Sequence, residues 1–244
     1  MTRQHWVVPV LLAVLAGGCG ASGTSSSESP AGPEPSSSAS PTITIDADDA
    51  LRWEQVRDAI PVTGGLILAG GTTDATGEGE FTVTADLATA RFEARISNEA
   101  HDVTVRHRDQ TTWVLADPAY WVAAGYTPES AASAEGRWVL LDQIGSQRYR
   151  DQYGPGAVLA PLSDLAASDL TVSRRSDREG VAVIEFDFVT DGTPRTVVVT
   201  ADGDPWVVEV TATRDGAVAT TRLTRAPGPV EISVPDADTV VGAS

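Results

Sequence analysis

Between Gly77 and Thr213 the chain repeatedly sets an apolar residue at every second position, and a period of two is the signature of a strand with one dry face. Phe81, Val83 and Ala85 alternate with Glu80, Thr82 and Thr84. Ala88, Ala90, Phe92, Ala94 and Ile96 then alternate with Arg91, Glu93 and Arg95, and Val103 and Val105 with Asp102, Thr104 and Arg106. Trp113 and Leu115 continue the series after a turn near Asp109-Gln110. The second half repeats the style over 181–189, 195–201, 206–213 and 217–223, punctuated by Asp191-Gly192, Asp202-Gly203 and Asp215-Gly216. Short strands joined by such turns predict an antiparallel sheet of about eight to eleven strands, wet on one side and dry on the other.

A sheet of this kind needs a cover. One candidate is an amphipathic helix over 46–60, with Asp46, Asp48 and Asp49 at its positive end, a stripe of Ala50, Trp53, Val56 and Ile60, and Pro61 to stop it. A second helix is predicted over 159–167, with Pro161 in its first turn. The segment between the halves, 117–167, carries Tyr120, Trp121, Tyr126, Trp138, Tyr149 and Tyr153, which read as core in preference to a ligand rim.

The N-terminus has a different design. Arg3, an apolar run over 6–15 and Ala16-Gly17-Gly18-Cys19 form an export signal, since about ten apolar residues are half the length that spans a bilayer. The small residues before Cys19 resemble the bacterial lipobox, although Ala16 stands where a larger apolar residue is usual; an ordinary secretory cleavage site is the alternative. The lipobox resemblance implies removal of residues 1–18, acylation of Cys19 with palmitate-like chains, and a lipid anchor on the extracytoplasmic side of the cell membrane. Residues 19–41, rich in Ser, Pro and Gly, read as a flexible tether, and 42–241 as a single folded domain. Cys19 is the only cysteine, so no disulfide is available and stability must come from an apolar core.

All 17 basic residues are arginine, against 34 Asp and Glu, for a net charge of −17. That balance argues against nucleic acid and against docking on anionic headgroups, while arginine without lysine points to a GC-rich actinobacterial genome. His101 and His107 read as solvated strand residues on or near the face alternate to Val103. The Asp187/Asp191 and Asp202/Asp204 pairs lack calcium-loop spacing and read as turn chemistry. No nucleophile elbow, phosphate loop or zinc-protease pair is present, so neither a catalytic residue, a metal nor a cofactor is expected.

The run Gly77-Glu78-Gly79-Glu80-Phe81, the strand end Thr112-Trp113-Val114-Leu115 and Gly136-Arg137-Trp138-Val139-Leu140-Leu141-Asp142 resemble the first half of actinobacterial LolA-like lipoproteins, the LppX and LprG group. Leu165-Ala166-Ala167-Ser168, Asp202-Gly203 with Pro205-Trp206, and the ending Pro229 to Pro235 resemble the second half. The resemblance implies an α+β fold, a strongly curved antiparallel half-barrel whose concave face is covered by helices around a cavity for acyl chains. Mapped onto this chain, the expected lining is Leu66, Leu68, Phe81, Val83, Phe92, Ile96, Val103, Val105, Trp113, Leu115 and Trp138. It further implies a monomer binding a lipid or other lipophilic molecule as carrier or sensor. The alternative is an envelope protein-binding or structural module whose core is filled. Gly145, Gly154, Pro155 and Gly156 interrupt the helical cover and leave the cavity size open.

Overall fold

The computed structural model describes residues 45–74, 77–190 and 192–242. The export segment, Cys19 and the tether lie outside them. Helix α1, Ala47–Asp58, begins where Asp46 accepts a hydrogen bond from the Asp48 amide, and carries Asp48 and Asp49 in its first turn and Arg57 in its last. Its Trp53 and Val56 are sealed from solvent.

Five strands follow as a meander: β1 (Gly65–Asp74), β2 (Gly77–Asp86), β3 (Arg91–Asn98), β4 (Asp102–Arg108) and β5 (Thr111–Ala116). The middle segment holds α2 (Pro118–Ala123), α3 (Pro128–Ser133), β6 (Trp138–Leu140), α4 (Gln143–Tyr153) and α5 (Gly156–Ser163). A second meander, β7 (Leu170–Arg178), β8 (Val181–Thr190), β9 (Thr193–Thr200), β10 (Val207–Arg214) and β11 (Ala217–Arg225), precedes the short β12 (Val240–Gly242). All the strands join one sheet in the order β12-β6-β5-β4-β3-β2-β1-β11-β10-β9-β8-β7, antiparallel except for the β12/β6 pair. Ten longer strands fall within the expected eight to eleven, and the three-residue β6 and β12, too short for periodicity to reveal, bring the total among the described residues to twelve.

The two meanders meet where β1 pairs with β11, Leu68 opposite Leu223 and Thr72 opposite Ala219. Gly70 sits in this seam, and a Cβ there would lie 1.9 Å from the Thr220 carbonyl oxygen, so only glycine permits the approach. The strands β12 and β7 at the two ends do not pair with each other, and the curved sheet stays unclosed.

Cross-strand pairing fixes the dry face. Leu68, Val83, Ala94, Val105 and Val114 stand in one row from β1 to β5, and Val210, Val197 and Phe186 form another across β10 to β8. The opposite face carries an ion-pair ladder: Glu93 accepts from Arg106 and Arg95, and Arg178 bridges Glu185 and Glu209. Burial raises the Glu93 carboxyl, but the hydrogen bonds from Arg106 and Arg95 outweigh it and hold the group below its ordinary value.

Helices cover the dry face. Trp53 of α1 packs edge-on to Phe186 and tilted against Phe188, and its indole N–H donates to the Leu165 carbonyl. Buried Asp49 accepts from the Ser173 hydroxyl and the Arg175 guanidinium of β7, tying the start of α1 to the sheet edge. α4 lies across β4 and β5.

Two expectations shift. Ala88 and Ala90 belong to the β2–β3 turn and are exposed, Ala90 with φ of 53°, so the dry face of β3 starts at Phe92. The second covering helix runs over Gly156–Ser163 and not 159–167, which moves Pro161 from the first turn into its interior.

Candidate functional site

The turn geometry aligns the site. Asp109-Gln110 and Asp215-Gly216 have positive φ at both positions, the two-residue hairpin pattern that preserves strand register. Register then decides which expected lining residues share a face. Leu66, Leu68, Phe81, Val83, Phe92, Ile96, Val103 and Val105 all sit on the dry face, each no more than 4% exposed. Trp113, Leu115 and Trp138 do not join them. In β5 it is Val114 and Ala116 that pair with Val105 and Val103, so Trp113 and Leu115 point to the other face. Val139 opposes Val114, which turns Trp138 outward beneath the Arg106 guanidinium, 4.6 Å from the ring centre. The stretch Trp113-Val114-Leu115 is apolar at consecutive positions, so alternation alone could not tell its two faces apart.

Much of the dry face is packed by the chain itself, and a cleft of about 660 Å³ lies between it and the α4–α5 bend. Phe92 of β3 and Arg195 of β9 contribute from the sheet; Gly154, Pro155, Ala157 and Leu165 contribute from the helical side. The walls are predominantly apolar. Arg150, Asp151 and Asp164 are exposed at its border, whereas Arg195 is buried. Gly154 sits directly over Phe92: a Cβ there would be 3.2 Å from the ring and 2.5 Å from the Arg150 carbonyl oxygen. The glycines read as interruptions are thus of two kinds. Gly145 lies inside α4, its amide bonded to the capping Asp142 side chain, while Gly154-Pro155-Gly156 is the actual bend. Of the expected lining residues, Phe92 reaches the cleft.

Behind Phe92 lies His107, stacked on its ring at 5.4 Å and hydrogen-bonded through Nδ1 to Thr112 Oγ1 at 2.8 Å. The expectation of a solvated histidine fails here, because His107 shares the parity of Val103 and Val105 and therefore their dry face. Burial, and then the charge of Arg150, push its pKa below the ordinary imidazole value. His101 is half-buried and pairs with Asp117, which caps α2 through the Tyr120 amide.

Apart from Trp138, the aromatics of the middle segment belong to the core or pack against it. Tyr120, Trp121 and Tyr153 are buried, and the Tyr120 and Tyr149 hydroxyls hydrogen-bond to each other. Burial raises the pKa of Tyr120, Tyr149 and Tyr153 well above the ordinary phenol value, so all three remain neutral donors. Among the described residues no three His, Cys, Asp or Glu converge as a metal site, and no helix is long and apolar enough to cross a membrane.

An unclosed, strongly curved antiparallel sheet of two meanders with helices laid across its dry face is the LolA-like half-barrel, and this chain has the fold of the LppX/LprG type of lipoprotein. In particular it is similar to LprF from Mycobacterium bovis, with a TM-score of 0.50 at 11% identity, covering 78% of this chain and 98% of that one. It is also similar to the Mycobacterium tuberculosis lipoprotein LppX, with a TM-score of 0.48 at 14% identity over 75% and 97% of the two chains. No protein-family model matches the sequence, and no curated protein does.

Proposed function

We propose that this chain is an exported lipoprotein, acylated at Cys19 and held on the outer side of the cell membrane, that binds a lipophilic molecule as a carrier or sensor without catalysing a reaction. The observation that carries the reading is the cleft of about 660 Å³ with mainly apolar walls, a size within the roughly 300–1,000 Å³ of small-molecule sites. It opens beside the dry face of a fold shared with a known lipoprotein group. Hydrophobic burial at about 25 cal/mol per Å² supplies most of the affinity for such a guest. The lipobox-like run ending at Cys19 supports the anchor.

A second reading is favoured by a specific observation. Leu66, Leu68, Val83 and Val105 are already sealed by protein, as in a filled envelope module that engages another protein with its wet face. One experiment separates the two. Protein carrying Cys19→Ala, purified from its own host without detergent, is analysed by native mass spectrometry. A bound lipid at near-unit stoichiometry is expected, and repeated recovery of lipid-free protein would sink the carrier reading. The same variant is expected to leave the membrane fraction that holds the parent protein.

A further inference from the structure

The floor of the cleft is a stack of two rings. Phe92 faces the space under the α4–α5 bend, and the His107 imidazole lies behind it, ring centres 5.4 Å apart and planes 17° from parallel. His107 is 4% exposed and is not itself a wall. Its Nδ1 lies 2.8 Å from Thr112 Oγ1, and that hydroxyl donates onward to the Ser146 carbonyl of α4 at 3.4 Å. Thr112 therefore accepts from Nδ1, the neutral ring is satisfied there, and a second proton enters at Nε2. These contacts join the imidazole to the helix whose far end supplies Arg150, Asp151 and Gly154 to the cleft.

Little around the ring favours a positive charge. From α4 comes Arg150, of the same sign; from the β4–β5 turn comes Asp109, which is exposed and already held by Arg91 and Arg108. β3 presents Phe92 and β5 presents Thr112, both uncharged. The α4 tyrosines Tyr149 and Tyr153 stay neutral, their hydroxyls pushed up by burial. Burial, and then Arg150, outweigh Asp109 and hold the imidazole below its ordinary value. An apolar guest lying on Phe92 adds a second dry layer and keeps water out of the cleft, which withdraws still more solvation from an imidazolium behind the ring. Guest and proton then compete, and each weakens the other by the same factor.

We propose, resting on the carrier reading, that His107 is a proton switch beneath the cleft: at acid pH it takes up a proton, the hold on a lipophilic guest seated over Phe92 weakens, and the guest is released. The sign follows from the competition. Filling the cleft lowers the His107 pKa, so affinity is full while His107 of the empty protein is neutral. It falls once pH drops below the empty protein's value, which itself lies under 6.5, and levels off below the value of the filled one.

Fluorescence titration of lipid-stripped Cys19→Ala protein with N-phenyl-1-naphthylamine, an uncharged lipophile, reads the switch at about pH 7.5 and about pH 5, with circular dichroism at both to follow the fold. The Kd is expected to rise about fivefold or more at the lower pH. His107→Gln, which keeps a donor for Thr112, should bind with the same Kd at both. His101→Gln, at a residue on no wall of the cleft, should retain the parent's rise. Should His107→Gln fail to fold, an NMR titration of the parent's imidazoles decides, with a lower His107 pKa expected when the probe is bound. An unchanged Kd in the parent, a parent unfolded at about pH 5, a rise that survives His107→Gln or is lost in His101→Gln, or a His107 pKa that the probe leaves in place would overturn the switch and leave the carrier reading standing. No probe binding at either pH would end both.

Discussion

A single parity decides the fate of His107. Its sequence neighbours Arg106 and Arg108 are charged, which makes the histidine look wet, yet the count from Val103 through Val105 sets it on the dry face, where it stacks on Phe92. The same logic exposes the limit at Trp113 and Leu115, where an apolar residue on both faces leaves no alternation to count. Burial and Arg150 lower the His107 pKa in the folded chain, with Asp109 opposing more weakly. As pH falls, the unfolded chain therefore takes up the proton first, so the contribution of this group is full above the ordinary value of 6.5 and shrinks below it, down to the folded pKa. Thermal melts from about pH 7.5 to 5 should show the parent losing stability faster than His107→Gln. Identical slopes for the two proteins would contradict this account.

At the scale of elements, a cap made a helix readable only where an apolar stripe followed it: α2, α3 and α4 open on the caps Asp117, Thr127 and Asp142 and were not anticipated. α1 was legible to within two residues at each end because Asp46 and the acidic first turn announce it. α5 lacks a side-chain cap, its first residue is Gly156 and its N-cap is Pro155, so the sequence hid its onset and shifted the expected start to Leu159. The break at Gly154-Pro155-Gly156 was legible as an interruption of the helical cover, but no periodicity showed that it opens a cleft above Phe92. Gly154 has ordinary φ, so replacing it adds no backbone strain, but a methyl would press on the Arg150 carbonyl. Gly154→Ala should cost about 1–3 kcal/mol in denaturant unfolding, through overpacking. It should also weaken ligand binding, since the displaced bend narrows the cleft above Phe92. A variant as stable as the parent would show that the bend yields freely.

For the whole molecule, the sheet and its wet and dry faces were visible in the alternation, whereas the order of its strands was not. Nothing local in Leu66 or Leu223 signals that they lie on neighbouring strands, because pairing across most of a chain is decided by the closure of the entire sheet. Without β11 the facing edges of β1 and β10 are both bare, each with a row of unsatisfied amides and carbonyls. A chain stopped after Arg214 should accumulate as aggregate, while one stopped after Gly242 should stay monodisperse in size-exclusion chromatography. A soluble, folded product from the shorter chain would show that the first meander stands alone.

The β1–β11 seam also sets a timetable. Synthesis delivers β1 early and its second neighbour almost last, so the growing polypeptide carries an unfinished hem for nearly its whole passage. Under the export proposed above, that delay is an advantage to a chain threaded through a pore as an extended strand: the sheet would not lock prematurely, and the final pairing would wait until Ala217–Arg225 had emerged on the far side.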